Sequence, residues 1–195
     1  MYREDVEGKI PDISKELSKS PVTSIVEEID CLAPRRNITI GYSGPNIREI
    51  VKKVQEIITR GMNVNPLATN LDEYYLYVVD LNNILFHIFW HGERRFDQRT
   101  KMLGFIRLKQ GKLRPDGTGS VEIEFFGKLV TVWEKNTFIQ KTPIYELLRK
   151  IYTYVYYDNR RRRFIELCKE YEHKMVKLMK ELIKLIESYK YPSPY

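Results

Sequence analysis

The chain has 195 residues, with 33 lysines and arginines against 26 aspartates and glutamates, giving a formal net charge of +7. The apolar share of 43% suffices for a core, and no apolar run approaches the ~18–20 residues of a spanning helix, which excludes a helical membrane protein. Cys31 and Cys168 lie far apart and outside any CxxC spacing, so neither a zinc site nor a disulfide framework is expected.

Residues 1–20 are polar without sustained periodicity and read as an N-terminal arm ahead of one α+β domain over 21–195. The opening residues hold no apolar signal-like segment, so a cytoplasmic location is expected. Ser20-Pro21 is a cap-plus-proline helix start. Val22, Ile25, Val26, Ile29 and Leu32 then share one helical face as far as Pro34, which predicts a first helix. A β-branched strand over 37–42 follows. Ser43-Gly44-Pro45 repeats the helix-start pattern, and Ile47, Ile50, Val51, Val54, Ile57 and Ile58 form the stripe of a helix that Gly61 closes. Residues 62–73 read as a loop.

The middle third is β in character. Residues 74–79 and 84–91 are aromatic and β-branched, with Asn82-Asn83 as the tight turn, and 101–109 is the next strand. A long turn over 114–120 leads to 121–126 and 129–134, which the glycine-first pair Gly127-Lys128 joins as a predicted hairpin. That register sets Glu124 opposite Thr131. The last third is helical over 143–189. Thr142-Pro143 opens a helix with Ile144, Leu147, Leu148, Ile151 and Val155 inward, Asp158-Asn159 marks a break, and Phe164, Cys168, Tyr171, Met175, Leu178, Leu182, Leu185 and Tyr189 follow at heptad-like spacing.

Charge is uneven along the chain: −2 over residues 1–73, +4 over 74–141 and +5 over 142–195, with its densest point at Arg160, Arg161, Arg162 and Arg163. Scarce glutamine beside abundant lysine and glutamate fits a thermophile. Tyr156 and Tyr157 precede the arginine run, and tyrosine beside arginine suits an interface with protein or an anionic partner such as nucleic acid. Gly41-Tyr42-Ser43-Gly44-Pro45 approaches the elbow that exposes a nucleophilic serine, but the simpler reading makes Ser43 a helix cap. His87 and His91 are too far apart on a strand, roughly 13 Å, to share a metal ion. With Phe89 and Trp133 they are candidates for a pocket. Glu122 and Glu124 share a strand face, where Arg107 or Lys109 are natural partners. No catalytic residue, metal or cofactor is assigned.

The element order predicts an α+β fold: an antiparallel sheet of about five or six strands packed on helices, ending in a long C-terminal helix. Over residues 38–189 that order resembles the helix-grip architecture of START-like domains, which implies a cavity between a curved sheet and the last helix. The expectation is a non-enzymatic interaction protein working through the basic, tyrosine-rich surface, with self-assembly through the C-terminal helix as one form. The alternative is a hydrophobic-ligand-binding domain or small enzyme with a cavity between sheet and C-terminal helix.

Overall fold

The computed structural model describes residues 24–80, 83–135 and 137–188, apart from the side chains of 79, 80 and 83. The N-terminal arm, the Ser20-Pro21 pair, Asn82 of the tight turn and Tyr189 lie outside the described residues. The strands are β1 (Ser24–Asp30), β2 (Ile38–Gly44), β3 (Thr69–Asp80), β4 (Asn83–Arg95), β5 (Thr100–Leu113) and β6 (Gly119–Glu134). The helices are α1 (Ile47–Met62), α2 (Pro143–Tyr152) and α3 (Asp158–Ser188), with a π-helical turn, Thr153–Tyr157, joining the last two. The fold is α+β. The sheet is antiparallel in the order β1-β6-β5-β4-β3, and β2 also pairs with β6. No helix of the described residues is long and apolar enough to cross a membrane.

The segment expected as a first helix is a strand instead. β1 pairs with the second half of β6, Ser24 opposite Glu134 through Asp30 opposite Lys128. The chain then leaves the sheet over residues 31–37 and returns as β2 along the first half of β6, Ile38 opposite Phe125 through Gly44 opposite Gly119. Ile25 and Ile29 share a face in either conformation, because i and i+4 coincide on a strand as they do on a helix. Pairing with β6 decides for the strand. Ser43 therefore caps nothing: it lies in β2 opposite Ser120, and Asn46, in the left-handed region at φ 58°, occupies the N-cap of α1.

The hairpin expected at Gly127-Lys128 is likewise absent. β6 runs unbroken for 16 residues because partners flank its whole length: β5 on one side, β1 and β2 on the other. Glu124 faces Arg107 and Thr39 across the strands, not Thr131. Gly127 serves close approach rather than a turn. It pairs with Gly104, and Gly104 with Gly92, so three glycines lie side by side across β6, β5 and β4. A Cβ at Gly104 would meet Met62 of α1, and one at Gly127 would collide with the Glu172 carboxylate of α3. The bare lane lets both helices sit down on the sheet.

α1 and α3 cover the same face and touch each other, Met175 packing where Gly61 has no side chain. Ile47, Ile50, Val54, Ile57 and Ile58 of the predicted stripe of α1 are buried against Phe86, Ile88, Met102, Ile106, Leu108 and Phe125 of the sheet, Val51 is half-buried, and Met62, beyond the expected end of the helix, joins the buried set. In α3 the heptad-like spacing places Cys168 and Met175 correctly inside. Phe164, Tyr171, Leu178 and Leu182 are only half-buried, Leu185 is exposed, and Glu172, Val176, Met179, Ile183 and Ile186 complete the buried stripe. Asp158-Asn159 is no break, since the π turn carries the chain straight into α3. Cys31 and Cys168 form a disulfide, 137 residues apart in sequence, which overturns the expectation that the cysteines are unconnected.

Candidate interaction surface

Thr142 caps α2 by accepting from the Tyr145 amide (3.3 Å), Pro143 sets the first turn, and Arg149 and Lys150 sit at the C-terminal end, where the helix dipole favours them. None of its ten residues is buried. Ile144, Leu147, Leu148, Ile151 and, beyond its end, Val155 were expected inward; all five face out, from 71% exposed at Ile144 to 49% at Ile151. Phe138 and Ile139 in the preceding turn, with Tyr154 and Tyr156 in the π turn, extend the apolar surface. Phe138 and Ile139 are not among the residues the sequence singles out, and their signal is two large apolar side chains just ahead of a proline-started helix.

Polar anchors hold α2 to the sheet. Arg149 donates to Glu27 of β1 (2.8 Å), and Lys135 pairs with Glu146 (2.6 Å), which holds that carboxyl below its usual range. Trp133, buried in the helix-covered face, receives the edge of Tyr157 at 5.5 Å between ring centres and Arg99 above its ring at 4.7 Å. The π turn rotates Tyr157 inward, where its hydroxyl bonds Thr100 and Asp97 (3.1 Å), and burial pushes its phenol up. Tyr157, one of the expected contact residues, is thus part of the frame; Tyr156 is on the surface.

The four arginines divide in the same way. Arg161 is half-buried and bonds Glu27 (3.4 Å) and Asp158 (3.2 Å), and Arg162 bonds Asp158 (3.0 Å). Arg160 and Arg163, one turn apart and exposed, form no ion pair with the described residues. Between residues 135 and 163 there are eight basic residues and two acidic ones, Glu146 and Asp158, and both acids are already paired. An apolar helix face thus adjoins a basic rim.

The pocket candidates are split between the two faces of the sheet. His87, Phe89 and His91 lie on the face without helices, away from Trp133. There Phe89, Phe105 and Phe126 stack at 4.7–5.9 Å, and Arg107 covers Phe89 at 4.6 Å and Phe126 at 5.1 Å. His91 is engaged by Asp72 (2.7 Å), and His87 lies 3.5 Å from Glu73. Glu124 is bound by Lys109 (2.8 Å), Asn37 and Arg107 (3.4 Å). Burial raises its carboxyl, but the Lys109 and Asn37 hydrogen bonds outweigh that and hold it below its usual range, so it stays ionised as a structural group. The space between sheet and α3 is filled by Phe125, Leu129, Met175, Met179 and their neighbours. An open apolar cleft of about 330 Å³ lies elsewhere, between α1 and the β3–β4 end, lined by Ile47, Val51, Leu76 and Phe86 among others.

No protein-family model matches this chain, and neither does the sequence of any curated protein. Solved structures that match it include the following two. A protein of unknown function from Staphylococcus aureus is 11% identical over 80% of this chain and 98% of its own, with a TM-score of 0.22. An uncharacterized protein from Rhizobium leguminosarum is 11% identical over 80% of this chain and 99% of its own, with a TM-score of 0.20.

Proposed function

We propose that this protein is a non-enzymatic interaction module that docks an acidic, apolar-faced protein segment on α2 and the start of α3. The observation that carries the reading is a capped amphipathic helix with no buried residue, whose whole apolar stripe is outward. Ten residues are too few for a helix to be stable alone in water, and exposed contiguous apolar surface rimmed by polar groups marks a binding site. Charge selects among partners. Over residues 135–163 the rim carries unpaired arginines and no unpaired acid, with Glu166 the next exposed acid along α3, so an acidic segment complements it, whereas a second copy would meet its own positive charge. Two of the four arginines are tied to Glu27 and Asp158, which weakens the surface for nucleic acid relative to an apolar protein face.

A fluorescent, 18-residue amphipathic helix of leucine and glutamate tests this by anisotropy. Saturable binding is expected, weakened by salt and abolished by Leu147→Glu with Ile151→Glu. Absence of binding at low salt, or binding indifferent to those substitutions, refutes the reading. Tighter binding to single-stranded nucleic acid or to anionic vesicles, or a concentration-dependent dimer lost with the same substitutions, also refutes it and reassigns the surface.

A further inference from the structure

Glu172 is fully buried, and neither of its carboxylate oxygens has a hydrogen-bond partner. It stands one helical turn beyond Cys168, on the same face of α3. Cys31 reaches that face from the end of β1, its amide fixed to the Gly127 carbonyl at 3.0 Å. One ligand atom from each of the three residues, two sulfurs and a carboxylate oxygen, falls within 4.8 Å of the others, and all three residues are buried. The room for this carboxylate is made by Gly127, where any Cβ would collide with it. A buried polar group without a partner ordinarily costs several kcal/mol, and no described group supplies one for the Glu172 carboxyl.

We propose that reduction of the Cys31–Cys168 bond opens a three-ligand site for a thiophilic divalent cation of the zinc class, formed by the two cysteine sulfurs and a Glu172 oxygen. The ligand types suit such an ion: thiolates at ~2.3 Å and a carboxylate at ~2.0–2.2 Å are ordinary zinc distances. Two ligands at those radii on a tetrahedral ion stand roughly 3.5–3.8 Å apart, so the two sulfurs must part from bonding distance once the bridge is cut, while the carboxylate oxygen already lies within 4.8 Å of both. The chemistry balances. A dithiol reductant gives two electrons, its own sulfur–sulfur bond forms as the protein's breaks, and two protons pass to the cysteine sulfurs. The ion then displaces both thiol protons and the Glu172 carboxyl proton. Three anionic ligands and a dication leave one negative charge, which Lys169 nearby opposes and Asp30 adds to. The disulfide has no exposed surface, so the exchange requires local opening of β1 against α3.

The test uses the full chain, reduced with a phosphine in urea, freed of reductant and refolded without oxygen in the presence of Co²⁺. One Co²⁺ per chain is expected, with a thiolate-to-cobalt charge-transfer band that Zn²⁺ abolishes and that the oxidised chain does not show. Glu172→Gln, which keeps the side-chain shape, should weaken binding ~10-fold or more, because even groups behind a ligand typically contribute that much. Cys168→Ser should remove the band while far-ultraviolet circular dichroism stays native. A reduced, folded chain without the band overturns the proposal. So does a band unaffected by either substitution, or a reduced chain that Co²⁺ and Zn²⁺ both fail to refold.

Discussion

Glu172→Gln in the disulfide-bonded protein should raise stability, by an amount that grows with pH. Burial, with the negative charge of Asp30 adding to it and Lys169 opposing, pushes the Glu172 carboxyl from 4.5 up to about 8. Below pH 4.5 the acid is protonated in both folded and unfolded chains, and glutamine should be nearly neutral. As pH rises above 4.5 the unfolded chain ionises and the folded chain does not, so the wild type loses about 1.36 kcal/mol per pH unit. The loss is about 3 kcal/mol at pH 7 and levels off near ~5 kcal/mol above pH 8, where the folded carboxyl ionises too. Urea denaturation of both proteins from pH 4 to 9 should give midpoints that coincide at the acid end and then separate. Midpoints that stay parallel across that range would falsify the reasoning, because the carboxyl would then have to be solvated or paired.

Gly127→Ala should destabilise by ~2 kcal/mol through overpacking against Glu172. In a double-mutant cycle with Glu172→Ala the two changes should couple by at least ~1 kcal/mol, whereas a turn glycine would show no coupling to residue 172. Reducing the Cys31–Cys168 bond without added metal should lower stability by about 5 kcal/mol, the chain-entropy value for a loop of 137 residues; equal urea midpoints with and without reductant would contradict this. Tyr157→Phe should lose ~1 kcal/mol with the hydroxyl that bonds Thr100 and Asp97, while Tyr156→Phe, on the surface, should stay within ~0.5 kcal/mol in the same thermal melts.

Local patterns carried much of the architecture. The α1 stripe and the Thr142-Pro143 start could be read directly, as could the alternating runs that became β4 and β5, because each is a short-range signal that tertiary packing reinforced. The failures came where one pattern serves two structures. Ile25 and Ile29 satisfy a helix and a strand alike, and only β6 decides between them. Gly127-Lys128 between alternating runs has the composition of a tight turn, yet the glycine answers to a side chain 45 positions later. Amphipathicity locates the stripe of α2 without saying what covers it, so Ile144 and Leu147 read as inward, whereas both are exposed. Cysteine spacing rules see near neighbours, and Cys31 and Cys168 meet only once β1 and α3 are placed. Of the surface residues, Arg160, Arg163 and Tyr156 could be read from composition. The inward turn of Tyr157 depends on the π-helical step, which no spacing announces.

The link between β1 and α3 also governs how this protein would respond to force. A pull applied at the two ends of the chain is carried through β1, the sulfur bridge and α3, and everything between residues 31 and 168 is shielded. At up to ~3.5 Å per residue, the bridge withholds roughly 480 Å of contour length until it is cut. The sheet and α1 would keep their shape under a load that strips the flanks away. Redox chemistry at one buried bond would then set whether this molecule yields as a short tether or a long one.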